Sequence, residues 1–288
     1  MSSSLTTRRL DGYGVQLAAS EGGDGALPSV VLLHGGGQTR HAWSRLATTL
    51  VDAGYHVLSL DLRGHGDSDW APDGDYSSDA FIADIRAVLA QLPTPPVLVG
   101  ASLGGLMSLL TVGETEGPSA RALVLVDITP KIDMGGRARI IGFMRDNIKG
   151  FASVEQAADA VAAYLPHRPR PKNPSGLLRN LRLKDDGYYY WHWDPTFFDG
   201  ENATHNDPES RYEAAARKVR IPTLLVRGEH SELVSEAAVK HFREVIPGAE
   251  YVDVSGARHM VVGDDNDAFA DAVLGFLGRL GVGAASAG

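Results

Sequence analysis

The stretch Val97-Leu98-Val99-Gly100-Ala101-Ser102-Leu103-Gly104-Gly105 decides the fold. A short apolar run of strand type passes through Gly-x-Ser-x-Gly. Leu103, Leu106, Met107 and Leu110 then follow at the spacing of a buried helix face. A serine between a strand end and a helix start sits on a sharp turn with its hydroxyl exposed. The flanking glycines leave space where a side chain would strike that turn. Helix capping alone accounts for Ser102 but not for a glycine on each side of it. The helix start also aims unpaired N–H groups at any anion forming beside the serine. Ser102 is therefore the candidate nucleophile.

Working outward, Val30–Leu33, His56–Leu60, Ala122–Val126 and Thr223–Val226 are further runs apolar on both faces, with Tyr251–Val254 as a last strand. Such strands suit a parallel sheet covered by helices on both sides. Helical spacing returns at Phe81, Ile85, Val88 and Leu89, and again over residues 264–280. Val15-Gln16-Leu17 alternates and predicts an antiparallel edge. The expected fold is α/β, a doubly wound and mostly parallel sheet. The rhythm breaks after Asp127. Residues 128–214 contain no strand run but hold 11 of the 21 aromatic residues, with twelve basic and twelve acidic side chains. The expected division is a core of residues 1–127 and 215–288, with residues 128–214 a helical cap inserted between two strands.

A serine nucleophile needs a base and a carboxylate that orients it. His259, in Ser255-Gly256-Ala257-Arg258-His259-Met260, follows the last strand at the carboxyl edge of the sheet, where ligands bind in such folds. His34 and His65 stand in turns after earlier strands and read as packing residues. Glu232, just beyond the penultimate strand, is the leading acid. Asp127, at the end of the strand before the insertion, is the alternative, and Glu229 a weaker third. Either leading choice keeps the chain order serine, acid, histidine. An oxyanion needs two N–H donors. Leu103, next to the serine, supplies one, and the glycine run after the first buried strand supplies the other through Gly36, with Gly37 the alternative. Phe143, Tyr190, Trp191 and Trp193 of the insertion are the expected substrate-binding aromatics, since rings that pack a lid also line what it covers.

Composition narrows the classes. The chain has 288 residues, 43% of them apolar, and no cysteine, which removes disulfides, thiolate catalysis and cysteine metal sites. A net charge of −9 argues against a protein built to grip nucleic acid or an anionic membrane. No apolar run approaches the ~18 residues of a spanning helix. Residues 1–10 lack the apolar stretch of a secretory signal, so a cytoplasmic location is expected. No P-loop or dinucleotide fingerprint occurs, and neither a cofactor nor a metal is expected.

The turn His34-Gly35-Gly36-Gly37, the segment Asp61-Leu62-Arg63-Gly64-His65-Gly66-Asp67-Ser68, the elbow around Ser102, Arg227 to Ser235 and Gly256 to Met260 occur in an order that resembles the α/β-hydrolase superfamily over nearly the whole chain. The likeness is strongest to its cofactor-free serine branch of carboxylesterases and non-haem peroxidases, or perhydrolases. The resemblance implies Ser102 as nucleophile, His259 as base and Glu232 as acid. Relatives more often carry aspartate at the position of Glu232 and glycine at that of Arg258. The expected activity is hydrolysis of small to medium carboxylic esters with apolar parts, through an acyl-enzyme. The alternatives are perhydrolysis, lactone or C–C bond hydrolysis on the same triad, or a small-ligand receptor that turns over little. The expected partner is a small ester-like molecule, and the sequence assigns no oligomeric state.

Overall fold

The computed structural model describes residues 4–166, 170–198, 204–255 and 267–281, the side chain of His205 excepted. Eight strands form one sheet: β1 (Thr6–Asp11), β2 (Gln16–Gly22), β3 (Ser29–Leu33), β4 (His56–Leu60), β5 (Val97–Ala101), β6 (Ala122–Val126), β9 (Thr223–Gly228) and β10 (Glu250–Val254). Their order across the sheet is β1-β2-β4-β3-β5-β6-β9-β10. β2 runs antiparallel to both β1 and β4, and all other pairings are parallel. The edge expected at residues 15–17 is thus the start of β2, and β1 lies outside it.

Strand periodicity assigns each face of the sheet its own helices. Val30, Leu32, Val97, Val99, Val124 and Val126 point to one side. There they meet Leu46 and Leu50 of α1 (Ser44–Asp52) and Phe269, Val273 and Phe276 of α8 (Asp267–Arg279). Val31, Leu33, Leu98, Leu123 and Leu125 point to the other. They meet α2 (Ser78–Leu89), α3 (Leu103–Glu114) and α7 (Glu236–Val245). β3 to β6 are buried at every position, as their two-sided apolar sequences require.

Between β6 and β9 the chain builds α4 (Met134–Asp146), α5 (Val154–Tyr164) and α6 (Glu209–Ala216). It also forms a hairpin of β7 (Leu181–Leu183) and β8 (Tyr189–Trp191), which the purely helical expectation missed. Three-residue strands are too short to show a period. The expected boundary at residue 214 falls inside α6, and α6 packs on α3 of the core. A side-chain carbon on Gly113 would lie 2.4 Å from the Ala215 carbonyl oxygen, and Arg211 pairs with Glu114 at 2.9 Å. α6 therefore lies against the core, and the segment reaching over the sheet edge is shorter than the sequence suggested.

Candidate active site

Ser102 directly follows β5, with φ 46° and ψ −114°. A non-glycine residue in that region costs on the order of 1–3 kcal/mol and persists only where its surroundings enforce it. Close packing of the elbow does so. A β-carbon on Gly104 would lie 2.3 Å from the Leu33 carbonyl oxygen, and one on Gly100 would lie 2.4 Å from that of Gly104. Only glycine lets α3 start so near the sheet. The Ser102 hydroxyl makes no capping bond to α3, so ordinary helix capping does not account for it.

The Leu103 and Gly36 N–H groups both border the cavity on which Ser102 opens, and neither has a hydrogen-bond partner among the described residues. The direction of the Gly36 N–H is set by its own peptide plane. The Gly35 carbonyl on that plane accepts from His34 Nδ1 at 2.7 Å and from Gln38 N at 3.1 Å, and the trans N–H points the opposite way. Gly37, the alternative donor, gives its N–H to His65 Nε2 at 3.2 Å.

The two candidate carboxylates sit in contrasting surroundings. Asp127, directly after β6, is fully buried and shares with Ser102 a positive φ, here 50°. Its Oδ1 accepts from Gly228 N at 3.1 Å and its Oδ2 from the Ser231 hydroxyl at 2.7 Å. Ser102 and Asp127 follow paired positions on adjacent strands, Ala101 and Val126. The Glu232 side chain is 37% exposed and pairs with Arg139 of α4 at 2.7 Å. His259 and Arg258 lie outside the described residues.

The cavity holds about 510 Å³ beside Ser102. Its walls include Ala101 and Leu233 from the core and Ile128, Phe143, Met144, Trp191 and Trp193 from the inserted segment. Trp191 and Trp193 stack with ring centres 4.9 Å apart, and Phe143 meets Trp191 edge-on at 6.1 Å. Tyr190, expected beside them, does not line this cavity. Alternation along β8 turns it to the opposite face, where its hydroxyl donates to Asp186 at 2.8 Å and Lys184 sits 4.3 Å from its ring centre.

Three buried histidines lie in sequence beneath the glycine turn. His34 and His65 have ring centres 5.2 Å apart, and His65 and His192 5.9 Å apart. Backbone groups fix each tautomer. Leu62 N–H donates to His34 Nε2 at 3.0 Å, and Gly66 N–H donates to His192 Nδ1 at 2.7 Å. The protonated nitrogens donate to carbonyls: His65 Nδ1 to Arg63 at 2.9 Å and His192 Nε2 to Gly37 at 3.2 Å. Burial lowers the proton affinity of all three, that of His65 to about 3, and holds them neutral. They are structural groups rather than bases, as the turn positions of His34 and His65 predict. His192 was not singled out by the sequence, because nothing there tells which loop it reaches.

The fold and this strained serine define an α/β hydrolase. The chain belongs to that family: the model of the alpha/beta hydrolase fold matches residues 28–265. It is 32% identical to the esterase Rv0045c of Mycobacterium tuberculosis over 88% of this chain and 84% of that one. It is 31% identical to the sn-1-specific diacylglycerol lipase ABHD11 of Mus musculus, over 88% and 82%. The non-heme chloroperoxidase CPO-A1 of Kitasatospora aureofaciens is 27% identical over 92% and 97%. At the level of family the chain is a hydrolase of the esterase and lipase type. Among the described residues no helix is long and apolar enough to cross a membrane.

Proposed function

We propose that this hydrolase cleaves carboxylic esters with an apolar part through an acyl-enzyme on Ser102. The observation that carries the reading is Ser102 itself, held at φ 46° on a cavity that Leu103 and Gly36 also line, their N–H groups without a hydrogen-bond partner among the described residues. His259 takes the serine proton and returns it to the leaving alcohol. The N–H pair receives the oxyanion, and water then repeats the sequence on the acyl-enzyme.

For the acid, burial favours Asp127 over Glu232, which reverses the ranking drawn from the sequence. An orienting carboxylate stabilises an imidazolium best where water is excluded and its own direction is fixed. Asp127 has both properties. Glu232 is part-exposed and bound to an arginine of α4. Phe143, Trp191 and Trp193, which line the cavity, contact the apolar part of the substrate in this reading.

Hydrolysis of p-nitrophenyl esters, together with labelling of Ser102 by a fluorophosphonate, tests the reading. Labelling without turnover would instead point to a receptor. A second reading, perhydrolysis, draws support from the likeness to the non-heme chloroperoxidase over nearly its full length. Peracid formation from acetate and hydrogen peroxide at a rate above ester hydrolysis would favour it.

A further inference from the structure

The face that α4 turns toward the cavity carries Arg137, Ile140, Ile141 and Met144, and all four line it. These positions are i, i+3, i+4 and i+7, the stripe a helix normally reserves for apolar side chains. Arg137 occupies the first of them. Its Nη2 donates to the Thr204 carbonyl at 3.1 Å, and among the described residues it has no carboxylate partner.

Its isolation is unusual within this chain. Among the described residues, every other arginine that is buried or half-buried is paired. Arg40 pairs with Asp61, Arg63 with Asp84, Arg182 with Asp67, Arg211 with Glu114 and Arg227 with Asp253. Among the described residues no aspartate or glutamate lines the cavity, whereas Arg179 stands on its wall as a second cation. In a chain of net charge −9, the charged side chains on the described cavity wall are thus two arginines. A half-buried guanidinium retains donors that its surroundings leave unused, and burying such a charge unpaired is costly. A planar carboxylate matches those donors.

We propose that Arg137 is a specificity-determining residue that binds a carboxylate on the substrate, at the end of its apolar part remote from the scissile ester. The preferred substrates are then esters carrying a terminal carboxylate, for instance half-esters of medium-length dicarboxylic acids. The inference rests on the proposed esterase reading, in which this cavity receives the substrate.

The test compares p-nitrophenyl half-esters of glutaric, adipic and suberic acids with p-nitrophenyl alkanoates of matched length. A parallel series places the carboxylate on the alcohol side, as acetate esters of ω-hydroxy acids against acetates of plain alcohols. In one series the wild type should favour the charged member in kcat/KM by about tenfold or more at low salt. Arg137→Gln should collapse that ratio, and Arg137→Lys, which keeps the charge but not the planar fork, should retain part of it. Fluorophosphonate labelling of Ser102 reports whether each variant is folded. Binding of adipate to Ser102→Ala protein, measured by calorimetry and weakened in a Ser102→Ala, Arg137→Gln double variant, reads the site without turnover. The proposal is overturned if neither series favours the charged member, or if Arg137→Gln keeps the wild-type ratio. Adipate binding that depends on Arg137 without cleavage of any ester would keep the anion site and sink the esterase reading instead.

Discussion

Replacing Asp127 with Asn separates two candidate acids that chain order alone treats as equivalent. Asp127 accepts two hydrogen bonds, from Gly228 N and from the Ser231 hydroxyl, one on each carboxylate oxygen. An asparagine has one accepting atom, so its NH2 must face one of these donors. Leaving a buried donor without an acceptor costs about 1–3 kcal/mol. For a chain of this size that lowers the melting temperature by roughly 2–4 °C per kcal/mol. The catalytic loss should be larger. An amide holds the wrong imidazole tautomer and cannot stabilise the imidazolium, a change that costs ~10⁴ in kcat in the serine-protease template. Glu232→Gln breaks a part-exposed pair with Arg139, worth about 0–1 kcal/mol, and on the proposed assignment should leave turnover near wild type. The assay is kcat on a short p-nitrophenyl ester at a temperature where both proteins are folded by circular dichroism. Near wild-type turnover in Asp127→Asn beside a loss of ~100-fold or more in Glu232→Gln would refute the burial argument.

Three further outcomes are expected. Ser102→Ala should abolish ester turnover and fluorophosphonate labelling without lowering the melting temperature; undiminished turnover in the pure variant would remove Ser102 from the chemistry. Trp191→Ala or Trp193→Ala should shift the preference between short and long acyl chains by ~1–3 kcal/mol while Ser102 still labels, and an unchanged chain-length profile in both would place the selective wall elsewhere. His34, His65 and His192 are neutral when folded but protonate below about pH 6.5 when unfolded, so the unfolded chain binds more protons and stability falls as pH drops from there toward 3. At pH 5, His65 alone contributes a loss of about 2 kcal/mol; the denaturant midpoint should therefore fall between pH 7 and 5, less steeply in His192→Phe, and a flat profile would contradict the neutral assignment.

Most of the sheet was legible because β3 to β6 are buried on both sides, so each is an uninterrupted apolar run. β1 was not, since Thr6 to Arg9 are exposed and polar, as an outer strand with a solvated face allows. The elbow was legible because its glycines are demanded by backbone contacts of less than 3 Å. The proposed choice of acid was not, because chain order says nothing about burial, and it is burial on which the proposal prefers Asp127 to Glu232. Tyr190 was misplaced for a related reason. In Tyr188 to Trp193 the composition signals an aromatic wall, but only strand register decides which rings face it. Arg137 had a readable signal, an arginine at the head of the stripe Ile140, Ile141 and Met144, and the meaning proposed for it required knowing that it has no carboxylate partner among the described residues.

The segment Trp191-His192-Trp193 joins the cavity wall to the glycine turn beside Ser102. Its two indoles stack on the cavity side, and Trp193 packs so closely on Gly37 that a side-chain carbon there would lie 3.3 Å from its ring. The imidazole between them reaches the core, taking the Gly66 N–H and giving its own proton to the Gly37 carbonyl. His65 holds the N–H of the same Gly37. Both polar groups of one glycine, next to the proposed oxyanion donor Gly36, are thus fixed by rings, one from the core and one from the inserted segment. Displacing that segment from the core breaks both bonds of His192 and leaves the half-buried Gly66 N–H without its acceptor, which resists the movement. On the proposed reading, the rings that contact a substrate and the ring that steadies the turn beside Ser102 are consecutive in sequence, so the inserted segment would help to position the reaction as well as enclose it.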